Sequence, residues 1–133
     1  MLVFDATCLS HFGTRGTARR PARLDTIEEL QCFAKWCRRI GGEPRNRGES
    51  SVFAAVERHG GVAITDDRDA VRVGRAYGLS VHGSLWLLAR ACGAGKVTEV
   101  GAGNLIERLR ETGMRLPCTG RDFGAFSRRH GLL

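Results

Sequence analysis

The sequence predicts an α/β fold in which a small central parallel sheet carries helices on both faces. Short apolar runs alternate with stretches of helical periodicity along much of the chain, the pattern of strand–helix–strand units. One run, Val62-Ala-Ile64, lies between Gly60-Gly61 and a cluster of charges, which suits an interior strand buried on both faces. Right-handed crossovers bring the C-terminal ends of such strands to one edge of the sheet, where open α/β sheets bind their ligands. A length of 133 residues suits one domain, residues 1–133, with one core.

In order, Leu2-Val-Phe-Asp5 is a short strand ending in an acid, and Ala6 to Ser10 turns into a helix start. Residues 13–23 lack periodicity and hold Gly13, Gly16, Pro21 and the arginines Arg15, Arg19, Arg20 and Arg23, so they form an Arg-rich loop. A helix runs from Asp25 or Thr26 as its cap to about Ile40. Glu28 and Glu29 occupy its first turn, and Gly41-Gly42 stops it. Leu24, Ile27, Leu30, Phe33, Ala34, Cys37 and Ile40 recur at helical spacing as its expected buried face. Gly48-Glu49 opens the next helix, which ends at Gly60-Gly61. After the acids, Ala70, Val73, Ala76 and Tyr77 line a helix that Gly78 ends. Leu79 to His82 is a further strand. Gly83-Ser84 starts an apolar helix expected to be buried, and residues 101–112 give another with Leu105, Ile106 and Leu109 inward. Thr119-Gly-Arg-Asp122 has the form of a capping box, with Asp in the place of Glu, before a last helix.

The chain carries 21 Lys plus Arg against 14 Asp plus Glu, a net charge of +7, and all but two of its basic residues are Arg. That balance fits a polyanionic partner such as nucleic acid. The five cysteines are scattered with no CxxC, and Cys32 and Cys37 fall on different faces of their helix. Reduced thiols are the expectation, not a zinc site. No apolar run approaches the ~18 residues that cross a bilayer, and Met1 leads straight into Leu-Val-Phe-Asp5 without a basic leader. The expectation is a cytoplasmic protein with no membrane partner.

Asp66, Asp67 and Asp69 crowd the end of the Val62-Ala-Ile64 strand. Carboxylates this close repel unless they cap a helix, take up a proton or hold a cation. One Asp suits a helix cap; three point to a hard cation, Mg²⁺ or Mn²⁺, which takes few protein oxygens and keeps its waters. Asp5 is expected to share that edge. No Ser-His-Asp or Cys-His arrangement and no phosphate-loop sequence competes, and Gly101-Ala-Gly-Asn104 lacks the third glycine of a dinucleotide fingerprint.

The run Gly48-Glu49, Ile64-Thr-Asp-Asp-Arg-Asp-Ala70, Arg72, Gly78-Leu79 and Val81-His-Gly-Ser-Leu-Trp-Leu-Leu88 resembles PIN-domain proteins, and Val3-Phe-Asp-Ala-Thr7 fits their first strand. The likeness is nearest to the branch with a G-E helix start and a D-D-R-x-A motif, related to VapC-type toxins. It covers roughly residues 1–10 and 24 onward. The resemblance implies a three-layer α/β/α fold and a metal-dependent endoribonuclease that cleaves single-stranded RNA as the toxin of a toxin–antitoxin pair. It assigns Asp5, Glu49 and Asp67 as catalytic residues and Asp5, Glu49, Asp66 and Asp67 as ligands of Mg²⁺ or Mn²⁺. Thr65 and Arg68 fall to the substrate. RNA, a cognate antitoxin and a second copy of the chain are the partners it implies.

In one respect the chain departs from the family. A strand and helix with a further acid are replaced by residues 13–23. This opens an alternative: a weakened or inactive module that still binds RNA or an antitoxin. A receiver domain would need a late Lys after a strand, which Lys96 does not satisfy. A Toprim-like domain would need Glu where Asp5 stands.

Overall fold

Val62–Ile64 (β2) is the middle strand of a three-stranded parallel sheet. It pairs with Leu2–Phe4 (β1) on one side and Val81–His82 (β3) on the other, as the run bounded by glycines and acids predicts. The computed structural model describes residues 2–4, 26–41 and 47–133, the first three by backbone alone. The Arg-rich loop, the Ala6–Ser10 helix start, Leu24, Gly42 and Cys8 lie outside the described residues. Contacts divide the chain into two compact units, Met1–His82 and Gly83–Leu133.

In the first unit, Ile27–Ile40 (α1) and Arg47–His59 (α2) pack on each other, and α2 also packs on β1 and β2. Thr26 caps α1. Its hydroxyl accepts from the Glu29 amide at 3.1 Å, and the Glu29 carboxylate accepts from the Thr26 amide at 3.2 Å. Gly41 ends the helix at φ 116°, a left-handed conformation that glycine adopts without strain.

The buried face of α1 differs from the expected one. Cys32 and Trp36 are the buried side chains, with Phe33 and Ile40 packed beside them, whereas Ile27 is 71% exposed and Leu30 51%. The reason is a polar anchor on α2. The Glu57 carboxylate accepts from Cys32 Sγ at 2.7 Å, Trp36 Nε1 at 2.8 Å and Lys35 Nζ at 2.7 Å. These bonds turn the Cys32–Trp36 side of α1 toward α2. There the Trp36 ring meets Phe53 edge-on, with centroids 5.2 Å apart.

The anchor has a pH signature. Partial burial opposes the charged form of Glu57, but the bonds from Cys32, Lys35 and Trp36 outweigh it and hold the carboxyl down at about 2. Burial, the hydrogen bond to Glu57 and the charge of Glu57 push the Cys32 thiol up to about 11. Glu57 is thus depressed on folding from its ordinary 4.5, so its stabilisation is complete above 4.5 and lost as pH falls toward 2. The raised Cys32 gives the opposite limb: its contribution is complete below 9 and lost as pH climbs toward 11. Melting temperatures are therefore expected to plateau between these limits. Glu57→Gln should lower the plateau and flatten both limbs; limbs unchanged in that variant would contradict the anchor.

Arg68–Ala76 (α3) follows β2. Its buried side is Ala70 and Gly74; Val73 is half-buried, and Ala76 and Tyr77, expected inward, are exposed. Gly74 is the reason for the close fit. A Cβ there would lie 2.7 Å from Val81 Cγ2 and 2.9 Å from Phe53 Cζ. Tyr77 instead closes over α1, with the Arg39 guanidinium 3.8 Å from its ring centroid.

The second unit holds Ser84–Gly93 (α4), Glu99–Glu111 (α5) and Phe123–Arg129 (α6). Leu85, Leu88, Ala89, Ala102, Ile106, Leu109 and Phe123 are its buried apolar side chains. Leu105, expected inward, is exposed, because Ala102, Ile106 and Leu109 already supply the inward stripe at helical spacing. The capping box expected at Thr119 and Asp122 forms only in half: the Asp122 amide donates to the Thr119 hydroxyl, but the Asp122 carboxylate accepts at 2.7 Å from that hydroxyl and not from the Thr119 amide, and Asp122 itself stands at the cap of α6 without a side-chain cap bond. Cys32, Cys37, Cys92 and Cys118 are free thiols. Among the described residues no helix is long and apolar enough to cross a membrane.

Candidate functional site

The register of the sheet fixes one edge. Phe4 and His82 both lie opposite Ile64, so all three strands leave the sheet at the same end. The pairing runs one residue further, where the Thr65 amide donates to the His82 carbonyl at 3.0 Å. Thr65 is fully buried, and its hydroxyl accepts from the Asp67 amide at 3.3 Å. That bond turns the chain sharply as it emerges, so Asp66 and Asp67 follow one another at the rim. Asp66 is half-buried; Asp67 and Arg68 are exposed.

Asp67 is also the cap of α3. One of its carboxylate oxygens accepts from the Ala70 amide at 2.9 Å, and its other oxygen makes no bond among the described residues. The two readings of this aspartate are thus compatible: it caps a helix with one oxygen and presents the other at the rim. Asp69 is exposed, with Arg72 3.7 Å from it.

Glu49 lies in the first turn of α2 and is 8% exposed. Only Gly60 and Gly61, both at positive φ, separate the end of α2 from the start of β2. With so short a turn, a helix that packs on β2 must run back along it. The start of α2 therefore lies toward the edge where β2 ends. Glu49 and Asp66 each already take part in an interaction. Asp5, one residue past β1, lies outside the described residues. Among the described residues alone, no three His, Cys, Asp or Glu side chains converge as a metal cluster.

A family model described as "DUF3368: PIN domain" matches residues 34–120, well over half of the chain. The chain belongs to the PIN-domain family. No curated protein and no solved structure matches it. The matched stretch of this PIN domain contains Glu49 and the turn from Thr65 to Arg68, and it ends before α6. Asp5 falls outside that stretch.

Arg68, assigned to the substrate from the sequence, is accompanied by two arginines that the sequence reading did not assign, Arg72 and Arg75. Arg68, Arg72 and Arg75 recur at i, i+4 and i+7 and stand together on the exposed side of α3. That spacing is displayed in the sequence itself.

Proposed function

We propose that this PIN domain is a metal-dependent endoribonuclease of the VapC-like branch that cleaves single-stranded RNA. The observation that carries the reading is a pair of adjacent aspartates at an edge where three parallel strands end in register, in a chain of this family. In this reading helices cover both faces of the sheet as a three-layer α/β/α arrangement.

The donors suit Mg²⁺ or Mn²⁺. Carboxylate oxygens are hard ligands, and Asp67 offers one that is not committed to the α3 cap. Asp5, Glu49, Asp66 and Asp67 would hold the ion. Such an ion offsets phosphate charge and lowers the pKa of water. The chain's own residues do the rest. Thr65 sets the turn through its bond to the Asp67 amide and so positions both aspartates. Arg68, exposed beside them, would donate to a phosphate oxygen. Asp5, Glu49 and Asp67 are the catalytic residues.

The role we assign is that of a toxin held by a cognate antitoxin in the cytoplasm. Exposed Ile27 and Leu30 on one face of α1 offer an apolar surface for an antitoxin or a second copy of the chain.

The test is cleavage of an RNA with single-stranded loops, with Mn²⁺, with EDTA, and after Mn²⁺ is restored. Cleavage that stops in EDTA and returns with Mn²⁺ is expected. Equal cleavage throughout would overturn the metal-dependent reading, and no cleavage with RNA still bound would make the chain a non-catalytic module.

A further inference from the structure

We infer that Arg68, Arg72 and Arg75 form the track along which the RNA backbone leaves the acidic edge, an assignment that rests on the ribonuclease reading above. The row begins at the first residue of α3, directly after Asp67, and ends one residue before its last. Seven residues of helix carry it about 10 Å from the rim. The helix cannot rotate the row inward, because its opposite side is sealed. Ala70 and Gly74 are buried there, and Gly74 sits against Val81 and Phe53 too closely to admit even a methyl group.

Each arginine is available in a different way. Arg68 is exposed at the rim. Arg72 is exposed, and its approach to Asp69, 3.7 Å between two solvated side chains, is too weak to hold it. Arg75 is fixed. The Ser80 and His82 carbonyls accept from Ala63 and Thr65 of the β2 side, so the Val81 carbonyl between them points away from β2. Arg75 Nε and Nη2 donate to that carbonyl at 3.0 and 2.8 Å. A guanidinium has five N–H donors; holding it by two leaves the others at the outer side of β3, already oriented. One acid, Asp69, accompanies three arginines on this helix.

The occupant that matches is a phosphodiester backbone, with its repeated charges spaced along a strand. Such contacts position a nucleic acid without reading its sequence. An acidic peptide is the competing occupant.

The experiment measures anisotropy of a labelled single-stranded RNA of roughly 15 nucleotides, long enough to fill such a site, in EDTA across a salt series. Arg68→Gln, Arg72→Gln and Arg75→Gln are compared with Arg110→Gln and Arg129→Gln in the second unit. Thermal melts check folding, and Arg72→Gln, at an exposed position, decides the matter if Arg75→Gln unfolds. Each row variant is expected to weaken binding several-fold and to reduce the salt slope by about 0.7, with the second-unit variants unchanged. Equal losses in both sets, or RNA affinity unchanged in the row variants, would overturn the track; so would row variants that lose only a polyglutamate competitor. Cleavage measured alongside separates the two claims. Slopes that fall without any Mn²⁺-dependent cleavage leave the track and remove the hydrolytic reading; cleavage with unchanged KM in Arg72→Gln does the reverse.

Discussion

Asp67→Asn is expected to lower RNA cleavage by about 100-fold or more, the scale on which small misplacements of reacting groups act, while leaving the fold and RNA binding intact. The expectation follows from the two tasks of this side chain. Asparagine caps a helix as well as aspartate does, so the bond to the Ala70 amide, 2.9 Å in the wild type, survives. What is lost is the negative charge on the oxygen turned to the rim. Asp67→Ala supplies the contrast: it removes charge and cap together, and should melt earlier by the equivalent of about 1 kcal/mol. Cleavage rates and melting curves for both variants decide it. Retained cleavage in Asp67→Asn would leave Asp67 with the cap alone.

Gly103→Ala is expected to destabilise the second unit, against the usual benefit of alanine in a helix. Ala in place of Gly inside a helix favours folding by about 1 kcal/mol. At Gly103, however, the new Cβ would lie 2.6 Å from the Gly120 carbonyl oxygen and 3.2 Å from its carbon. These are backbone atoms, and Gly120 is also held by its own amide, which donates to Glu107 Oε1 at 2.5 Å. The clash cannot be relieved by rotating a side chain, so α5 and the turn before α6 must separate. Overpacking of this kind typically costs about 1–3 kcal/mol net. Gly93→Ala is the control, since nothing lies within 4 Å of a Cβ there. Denaturant melts should show Gly103→Ala less stable and Gly93→Ala equal to or above wild type. Equal stability of the two would contradict the close approach.

Residues 62–64 were legible as the interior strand because both ends were marked, by glycines on one side and charges on the other. Right-handed crossovers made a shared edge legible too, and the register of Ile64 with Phe4 and His82 has the three strands ending together there. The first-turn position of Glu49 and the capping position of Asp67 follow local rules that the sequence displays directly. The face of α1 was not legible. Ile27 and Leu30 fit the apolar period as well as Cys32 and Trp36 do, and the choice between the faces was made by Glu57, more than twenty residues away. The same limit hid the fixed position of Arg75 on α3, though the spacing of the arginines is in the sequence. Arg75 acquires its fixed position from the Val81 carbonyl, and which carbonyl points outward depends on strand pairing. Periodicity reports which side of a helix is apolar; it does not report what polar partner waits on the neighbouring element.

Titration of Mn²⁺ into the chain tests the central claim most directly, with binding read by calorimetry. The account predicts a single ion per chain. Its affinity should fall at least about tenfold, the scale seen when metal-site residues are altered, in Asp5→Asn, Glu49→Gln and Asp67→Asn. Asp69→Asn should bind as wild type does, since that carboxylate faces solvent beside Arg72. Wild-type affinity in the first three variants, or a loss confined to Asp69→Asn, would contradict a metal site at the end of β2.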